Sequence, residues 1–450
     1  MIPRSAARRI RKTVVQLLPA APLSRTKTQY ARVRCEIDIM LETHKYQPIL
    51  VVTETVQPAE LLSNLKIRTF DDPRVKNYHV PNPTLAPLKT IVRRGKFGKI
   101  MFLLVNSALQ LAYLCLMTVL LLQIVLEARA TIIHAHNPPD LTGLSACFVS
   151  KITGVPFVFE VHDPSPESYC SEMGLSHKSM VYRLLKLTER IVVTNCAALI
   201  TVNSLASKYF KTMGAQRTLP IYTGVGREIP SSENEVPSLR TRYNLKHKRV
   251  ILYAGTLTLA EVGAPIGYDL TLPLTTLPKI LRQIPDAALV YVGEGNGKEP
   301  LIRLARSIGV QRDVVFTGLV SRKEVFRWIT AADVLLVPYV DTPNNRLTTP
   351  TKLYEYMAVG RPIVATRFPG IREIIQDGRN GLLYQAGSAN DLSRCIISIL
   401  SNNQLATRLA STAKRDFVTR YSYEPNWSKL IALYDDISSG GSVTRKERSD

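Results

Sequence analysis

The sequence predicts an α/β protein built from two doubly wound parallel sheets that face each other across a cleft. Short apolar segments alternate with helical stretches along most of the 450 residues, which is typical of sheets covered by helices on both faces. The alternation pauses once, at the polar, proline-containing stretch "PSSENEVPSLRTRYNLKHK", and then starts again. A chain of this length also exceeds one ordinary hydrophobic core. We therefore predict two sheet domains joined near that stretch.

The predicted strands fall into two series. The first comprises "TVVQLLP", "PILVVT", "TIIHAH", "PFVFEVH" and "ALITVN", with a helix near Tyr30–Glu42 after the first strand. The second comprises "RVILYAG", "AALVYVGEG", "DVVFTG", "DVLLVPY", "RPIVAT" and "NGLLY". From these we predict a first domain over residues 1–222, a second over 223–420, a terminal helix over 421–437 and a disordered tail over 438–450.

The net charge of +22 predicts an anionic partner surface. The first 35 residues hold nine lysines or arginines and no acidic residue. A second basic cluster, before an apolar run, consists of Lys89, Arg93, Arg94, Lys96 and Lys99. We expect an anionic membrane surface and no nucleic acid, because no basic patch is interleaved with aromatic residues. The six cysteines are far apart and lack metal-binding spacing, which predicts reduced thiols in a cytosolic protein.

The apolar run over residues 100–126 is long enough to span a bilayer as a helix. It nevertheless contains Asn106, Ser107, Gln110 and Gln123, and the strand "ATIIHAH" follows it closely. A spanning helix would separate that strand from the earlier strands of the same sheet. We therefore predict a helix packed on the sheet, with one apolar face in the membrane surface. A single transmembrane helix remains the alternative.

Glycines follow three strands of the second domain, where ligands of doubly wound sheets bind. Because glycine lets the backbone approach a ligand closely, these positions are candidate ligand contacts. They are Gly255, Gly293, Gly295 and Gly318. The alternative interpretation is that each glycine only forms a turn.

The stretch "TTPTKLYEYMAVGRPIVAT" predicts a helix over residues 350–359 with Thr349 as its N-cap and Gly360 at its end. Lys352 falls in the first turn, where the helix dipole disfavours a cation. A phosphate bound by the free N–H groups would reverse that preference, and Arg346 lies just upstream. Glu355, one turn further on, could accept hydrogen bonds from sugar hydroxyls. The alternative is a surface Lys–Glu pair of small energy.

The segments "PTKLYEYMAVGRPIVAT" and "PGIREIIQDGRNGLLY" resemble the donor site of the family 4 retaining glycosyltransferases. "IIHAHNPPD" and "FVFEVHDPSPESY" are similar to that family's first-domain strand ends, especially in members that build glycolipids and exopolysaccharides. The resemblance covers roughly residues 130–437 and is most specific over 352–360. It implies the GT-B fold, with a Rossmann-like acceptor domain, a Rossmann-like donor domain, and a terminal helix, "RYSYEPNWSKLIALYDDI", that crosses back to the first domain.

Two positions depart from the family pattern. The family has two glutamates eight positions apart; the second, which binds the ribose, matches Glu355, but the first falls at Leu347. The family also has an arginine and a lysine after the first strand of the second domain, where this chain has Thr256 and no basic residue in "YAGTLTLAEVGAPIGYDLTLPLTTLP". We expect Lys352, Arg346 and backbone amides to carry most of the charge of a bound diphosphate.

In the first domain, "HAHNPPD" places His134 and His136 on one face of a strand. The resemblance implies that His136 contacts the transferred sugar, and "FEVHDPSPE" adds His162 as a second catalytic candidate. His134 is expected to be structural, whereas Asp163 and Glu167 are either site residues or turn and cap residues. No DxD motif or His/Asp metal spacing is present, so we predict no required metal and no cofactor beyond the nucleotide-sugar co-substrate.

The resemblance implies a hexosyltransferase-type enzyme that transfers sugar from a nucleotide sugar with retention. Same-face attack, in which the leaving phosphate takes the acceptor proton, is favoured over a covalent intermediate because no convincing nucleophile is seen. The basic clusters and the apolar segment predict a lipid-linked or other membrane-associated glycan acceptor, and a cytoplasmic protein peripheral to the membrane. The alternative is a catalytically impaired GT-B protein that acts as a binding or regulatory partner, suggested by the two departures.

Overall fold

Two parallel sheets, each covered by helices, form the protein in a computed structural model. The structure describes residues 12–18, 28–56, 74–83, 96–137, 141–173, 175–222, 226, 229, 233–259 and 267–439. The first sheet has seven strands in the order β3-β2-β1-β4-β5-β6-β7. Its strands are β1 (Lys12–Leu18), β2 (Tyr46–Val56), β3 (Lys76–Pro83), β4 (Ile132–His136), β5 (Phe157–Val161), β6 (Ala198–Thr201) and β7 (Thr218–Pro220).

The second sheet has six strands in the order β10-β9-β8-β11-β12-β13. Its strands are β8 (Arg249–Ala254), β9 (Ala287–Val292), β10 (Val314–Phe316), β11 (Val334–Val337), β12 (Ile363–Thr366) and β13 (Leu382–Tyr384). In each sheet the strand order reverses beside the first strand, between β1 and β4 and between β8 and β11. Ligands of such sheets bind outside the carboxyl ends of the strands at these reversal points.

The helices connect the strands as crossovers on both faces. In and after the first sheet they are α1 (Thr28–Thr43), α2 (Lys96–Glu127), α3 (Leu141–Thr153), α4 (Ser165–Met173), α5 (Met180–Asn195), α6 (Ser204–Met213) and α7 (Val236–Arg242). In the second domain they are α8 (Thr271–Leu281), α9 (Lys298–Ser307), α10 (Arg322–Ala331), α11 (Pro343–Leu347), α12 (Thr351–Val359), α13 (Pro369–Arg372), α14 (Ala389–Ser401) and α15 (Asn403–Asp416). A π-helical turn, Phe417–Tyr421, leads into α16 (Tyr423–Ser438).

Side-chain alternation along the strands fills a separate core on each face of each sheet. In β8, Val250 and Leu252 face one core, while Ile251 and Tyr253 face the other. This is the pattern of strands buried on both faces, which read as nearly continuous apolar runs. Both sheets are therefore doubly wound, as the sequence predicts.

The last helix, α16, packs against the first sheet and not the second. Trp427, Leu430 and Tyr434 are fully buried in the same core as residues of β1 and α1. At its end, Asp435 accepts hydrogen bonds from Lys45 Nζ at 2.6 Å and from Tyr46 Oη at 2.8 Å. The chain thus returns from the second domain to the first.

Helix α2 contains the apolar run. Its inner side buries Tyr113, Met117, Leu121, Ile124 and Val125 in the core above β1 and β4. By length and composition, Ala108–Glu127 could cross a membrane. The helix, however, connects β3 to β4 of one continuous sheet, so crossing a bilayer would pull that sheet apart.

The structure corrects several details of the sequence analysis. Strands β3 and β7 were not predicted, and the expected linker includes the short helix α7. Helix α12 begins at Thr351, with Pro350 as its N-cap instead of Thr349. Parts of four predictions lie outside the described residues: the basic stretch before β1, residues 89–94 of the second basic cluster, the domain junction around residue 230, and the tail after residue 439.

Candidate functional site

The N-terminus of α12 is the centre of the predicted donor site. Its N-cap, Pro350, offers no side-chain acceptor to the first N–H groups of the helix. The helix is anchored by buried Leu353 and Met357, and it ends at Gly360 in the left-handed conformation, φ 78°. Free N–H groups and the positive end of the dipole make such a terminus suited to an anion.

The ammonium group of Lys352 lies in a wedge between two tyrosine rings. Its Nζ is 3.9 Å from the ring centroid of Tyr253 and 3.8 Å from that of Tyr268. This Nζ is shielded from solvent, and among the described residues it has no hydrogen-bond partner. Burial lowers the pKa of Lys352 to about 7, although the charge of Glu355 acts in the opposite direction. The two ring faces also favour the charged form, since cations bind the faces of aromatic rings.

Glu355 points to a different neighbour. Its Oε1 lies 3.1 Å from Nη2 of Arg322, and its side chain is 16% exposed. Burial raises the pKa of Glu355, while Arg322 and Lys352 act against that rise. Lys352 and Glu355 are therefore not the exposed surface pair of the alternative interpretation, because Lys352 lies between two tyrosine rings and Glu355 pairs with Arg322.

The four predicted glycines have a packing role inside the protein. All four have positive φ, from 74° at Gly318 to 154° at Gly295. A Cβ on Gly293 would lie 2.0 Å from the carbonyl oxygen of Gly255, and one on Gly295 would lie 2.2 Å from that of Leu257. The turns after β8, β9 and β10 thus pack backbone against backbone. This contact accounts for Gly293 and Gly295 without a ligand, as the turn interpretation holds.

Gly255 is the glycine that touches the predicted site. A Cβ at this position would lie 2.6 Å from Nζ of Lys352, so the missing side chain leaves room for the ammonium group. Thr256, next in the chain, is exposed, and its carbonyl oxygen accepts a hydrogen bond from Tyr253 Oη at 3.2 Å. The end of β8, the first turn of α12 and the two tyrosines therefore meet at the point where the strand order reverses.

Arg346 is engaged elsewhere. Its Nε and Nη2 donate to the two carboxylate oxygens of Asp341 at 2.6 and 2.8 Å, and its side chain is 59% exposed. Sequence proximity suggested that Arg346 would share the diphosphate charge with Lys352. The structure places it in a surface ion pair at the end of α11, and its share in diphosphate binding stays a prediction.

The first-domain candidates belong to a buried cluster of ionisable groups. His134 and His136 stack with ring centroids 4.3 Å apart, as strand alternation predicts. Nδ1 of His136 lies 3.3 Å from Nε2 of His162. His136 has no exposed surface, while the side chain of His162 is 9% exposed. That His136 contacts the sugar stays a prediction, and His162 is the more exposed member of the pair.

Two glutamates and an arginine complete this cluster. Glu160, on β5, pairs with Arg32 of α1, and Glu36 lies 3.4 Å from Nε2 of His136. Burial and the charge of Glu160 raise the pKa of Glu36 well above its usual value. Burial disfavours the charge of Glu160 too, but Arg32 and His134 outweigh it and hold its pKa well below the usual value. The cluster thus holds one ionised carboxylate, balanced by Arg32, and one carboxyl that stays protonated.

Burial also keeps the neighbouring imidazoles neutral. It lowers the pKa of His136 well below its usual value, with His134 adding to the effect. It lowers the pKa of His162 to about 4, although Glu160 acts in the opposite direction. Potential metal-ligand atoms of Glu36, His134, His136 and Glu160 lie within 4.8 Å of one another. The four could hold a metal ion by geometry, but Arg32 already supplies the cation that Glu160 requires.

His134, Asp163 and Glu167 have local partners. Nδ1 of His134 lies 2.6 Å from Tyr434 Oη of α16, which ties the terminal helix to the sheet. Glu167 accepts from Tyr182 Oη at 3.0 Å and pairs with Lys186 at 2.8 Å, so it fastens α4 to α5. The backbone carbonyl of Asp163 accepts from Asn137 at 2.7 Å.

The two domains meet beside these groups. Asn203 Nδ2 of the first domain donates to the Leu347 carbonyl at 2.7 Å and to Thr349 Oγ1 at 3.0 Å, just before α12. Glu373 of the second domain accepts from the Ser204 and Leu205 N–H groups at 2.9 and 3.1 Å and so caps α6.

Across the same junction, the Asp163 carboxylate of the first domain acts on two tyrosines of the second domain. Burial raises the pKa of Tyr268 and Tyr339, and the Asp163 carboxylate contributes to both shifts. Helix α4, which begins just after the loop that holds Asp163, contacts α11 of the second domain.

Sequence reasoning missed several of these residues. Tyr253 and Tyr268 carry no motif, and only the packing of β8 against α12 brings them to Lys352. Glu160 did offer a signal, because a charged residue inside the apolar strand "FVFEV" must have a buried partner. Arg32 of α1 is that partner, and its position in a predicted helix gave no sign of the pairing.

Comparison with known families agrees with this architecture. Residues 99–224 match the family described as "Glycosyl transferase 4-like domain", and residues 248–402 match "Glycosyl transferases group 1". The alpha-D-kanosaminyltransferase of Streptomyces kanamyceticus is 23% identical over 318 residues, which are 68% of this chain and 77% of that protein. The lipopolysaccharide core biosynthesis glycosyltransferase LpsE of Rhizobium meliloti is 31% identical over 149 residues, which are 33% and 42% of the two chains.

Solved structures show the same fold. HepE of Anabaena, solved in complex with UDP, superposes with a TM-score of 0.64 at 18% identity and covers 96% of this chain and 100% of its own. WaaG, a glycosyltransferase involved in lipopolysaccharide biosynthesis, superposes with a TM-score of 0.60 at 16% identity, covering 95% and 100% of the two chains. Both matches extend over both sheets.

Proposed function

Because this chain belongs to the group 1, family 4-like glycosyltransferases with the GT-B fold, we propose that it transfers a sugar from a nucleotide sugar to a lipid-linked or other membrane-associated glycan, with retention at the anomeric carbon. The observation that carries the donor assignment is the shielded Nζ of Lys352, which has no hydrogen-bond partner among the described residues and lies at an uncapped helix N-terminus beside the strand-order reversal. The UDP complex of HepE and the lipopolysaccharide role of LpsE support the two substrate classes by analogy.

In the proposed reaction, the bond between the anomeric carbon and the β-phosphate oxygen breaks, and the acceptor oxygen forms its bond on the same face. The departing oxygen takes the acceptor proton. The chain's task is to stabilise the negative charge that develops on the diphosphate, and fixed N–H groups with a nearby cation do this most effectively. Lys352 and the first N–H groups of α12 would serve here. Glu355 would accept hydrogen bonds from the ribose hydroxyls.

The first domain would supply the acceptor side. His162, at the surface end of the buried cluster, would face the transferred sugar, with His136 behind it. We also propose that the donor binds without a divalent metal, since Lys352 and the helix N-terminus supply positive charge. The predicted location is the cytoplasmic face of an anionic membrane. None of the comparisons described above supports the alternative of a GT-B protein without activity.

A panel of nucleotide sugars tests the donor assignment. One of them should raise the melting temperature of the purified protein, because a ligand that binds only the folded state stabilises it. The same donor should then be hydrolysed slowly in the absence of acceptor. EDTA at about 1 mM, the upper end of typical Km values, should leave the rate of hydrolysis unchanged. If no member of the panel binds, the proposed function is wrong; loss of hydrolysis with EDTA would instead overturn only the metal-free donor site.

A further inference from the structure

We infer that the outer faces of α2, α3 and α5 form one docking surface that lies in a single leaflet of an anionic lipid bilayer, parallel to the membrane plane. This deepens the proposed function by naming the part of the chain that meets the membrane. We call this surface the apolar plate. It consists of Leu111, Leu116, Val119, Leu126, Phe148, Ile152, Met180, Leu184, Leu187 and Ile191, all of them exposed.

The outer half of α2 is almost entirely apolar. Opposite its buried side it exposes Leu111, Val119 and Leu126 at 62%, 63% and 60%. From residue 108 to 126 this exposed half contains one polar side chain, Gln123, and no charge. A helix in water would place charged residues there, because an amphipathic surface helix has one apolar face and one polar face. The second apolar face of α2 therefore needs a non-aqueous neighbour.

Helix α5 repeats the arrangement independently. Met180, Leu184, Leu187 and Ile191 are exposed at 86%, 63%, 55% and 38%, and their spacing of four, three and four residues puts them in one line along the helix. The opposite side buries Glu189, Val192 and Val193. The exposed line is thus a second apolar face, and it is distinct from the one that holds the helix on the domain.

Helix α3 joins the two faces into one surface. Thr118 of α2 donates to Ser145 of α3 at 3.2 Å. On the other side, Gly143 lets α3 approach α5 so closely that a Cβ would lie 2.6 Å from Val192. Phe148 and Ile152, one turn apart on α3, are 45% and 66% exposed. Within the described residues, the other exposed large apolar side chains are Leu319 and Val418 in the second half of the chain.

The charges around the plate match an anionic surface. Arg129, Lys151, Arg183 and Arg190 are exposed on or beside these three helices. The acidic residue of α5, Glu189, is buried and paired with Lys186 at 2.6 Å, and Glu127 is the exposed acid at the end of α2. Basic residues around an apolar helical face are typical of in-plane binding to anionic lipid.

The packing of α2 on the first-domain core rules out a membrane-spanning orientation of this helix. Its buried side, including Tyr113 and Leu121, is part of the first-domain core, so lipid cannot surround the helix without unfolding that domain. Helices α3 and α5 would also be left in water. Lying in the plane lets all three exposed faces reach the acyl region together.

Vesicle flotation tests the proposal on the full chain. The wild type should float with vesicles containing phosphatidylglycerol and much less with phosphatidylcholine alone. Leu184→Glu with Leu187→Glu should lower binding at least about 10-fold, since each leucine buries a full side chain. Arg183→Gln with Arg190→Gln should lower it on the order of 10-fold at low salt only. Leu319→Glu, at a second-domain leucine that is 76% exposed, is the control and should bind like the wild type.

The chain also offers a natural labelling site in the plate. Cys115 of α2 is exposed, whereas the other five cysteines are buried. A polarity-sensitive maleimide fluorophore can be attached at Cys115 in the folded protein, and its emission should shift to the blue on vesicle binding. Lipids brominated near the headgroup should quench it more than lipids brominated at the bilayer centre. Quenching strongest at the centre would indicate a span and overturn the in-plane geometry.

Two other results would overturn the proposal. If the wild type is a dimer without lipid and the Leu184/Leu187 variant is a monomer of unchanged melting temperature, the plate is an interface between copies of this chain. If binding to vesicles is the same for this variant and for Leu319→Glu, the plate does not contact lipid. Vesicle binding requires no donor, so failure here and failure of the nucleotide-sugar panel are separate outcomes.

Discussion

The Nζ atom of Lys352 lies 3.8 Å from the ring centroid of Tyr268, with the ring of Tyr253 at 3.9 Å on its other side. This relationship joins the first turn of α12 to the end of β8 and to the loop before α8. Within the described part of the chain, the ammonium group has no hydrogen-bond acceptor. An arriving diphosphate would supply one.

This geometry predicts that donor binding is coupled to proton uptake by Lys352. The pKa of Lys352 is about 7 in the free protein, and a nearby anion should raise it. Above pH 7 the free amine is then mostly neutral, so binding takes up a proton and affinity should increase as pH falls from about 9 to 7. Calorimetry with a nucleotide sugar in buffers of different ionisation enthalpy measures the uptake directly.

Lys352→Arg is the control for this prediction, because its guanidinium stays charged and its binding should not change over that pH range. An identical pH dependence in wild type and variant would contradict the assignment to Lys352.

Glu355→Ala should weaken donor binding more than Arg322→Gln. A hydrogen bond to a charged group contributes roughly 1.5–3 kcal/mol, so losing the ribose contact should raise the dissociation constant by about 10- to 150-fold. Arg322 contacts Glu355 at 3.1 Å but is itself 48% exposed, and it would only orient the carboxylate. The measurement is a donor titration of both variants. Equal effects would mean that Glu355 serves the ion pair and not the donor.

Gly293→Ala should destabilise the second domain strongly. The added Cβ would lie 2.0 Å from the Gly255 carbonyl oxygen, which is backbone and cannot move aside alone. We expect a loss of about 3 kcal/mol or more in the free energy of unfolding. Gly309→Ala is the matched control: its φ is also positive, at 78°, but nothing lies within 4 Å of the new Cβ, so the loss should be about 1–2 kcal/mol. Urea unfolding compares the two, and equal losses would contradict the contact.

The two buried glutamates should respond differently to amide substitution. Glu160→Gln leaves Arg32 as an uncompensated buried charge and should lower the free energy of unfolding by about 3–5 kcal/mol. Glu36→Gln replaces a carboxyl whose pKa is already raised well above its usual value and should change stability by less than about 1 kcal/mol near neutral pH. Denaturant unfolding at several pH values measures both.

The pH dependence gives a further check on Glu36. A raised pKa in the folded state means that unfolding releases a proton, so this group makes the wild type less stable as pH rises above the usual carboxyl range. The amide of Glu36→Gln does not ionise, so the free energy of unfolding of this variant should exceed that of the wild type toward alkaline pH. Stoichiometric zinc in the purified protein, with a lower melting temperature after EDTA, would instead show that the four residues hold a metal ion.

The family was expected from the resemblance of several segments to known glycosyltransferases, whereas much of the fold was predictable from local pattern. Alternation of apolar strands and helices identified eleven of the thirteen strands within the described residues, because strands buried on both faces must be apolar. The missed strands, β3 and β7, lie at the two edges of the first sheet. One contains two prolines and the other only three residues, and neither produces a clear apolar run.

The sequence by itself determined the two doubly wound domains and marked Lys352 and Glu355, because helix signals and residue spacing are local properties of the chain. Tertiary structure alone decided that Lys352 meets Tyr253 and Tyr268, that Arg346 turns to Asp341, and that His136 is buried behind His162. It also decided that three helices expose their apolar faces together. These features depend on contacts between segments far apart in sequence, and the energies of burial and charge pairing that govern them exist only once the sheets and helices have packed.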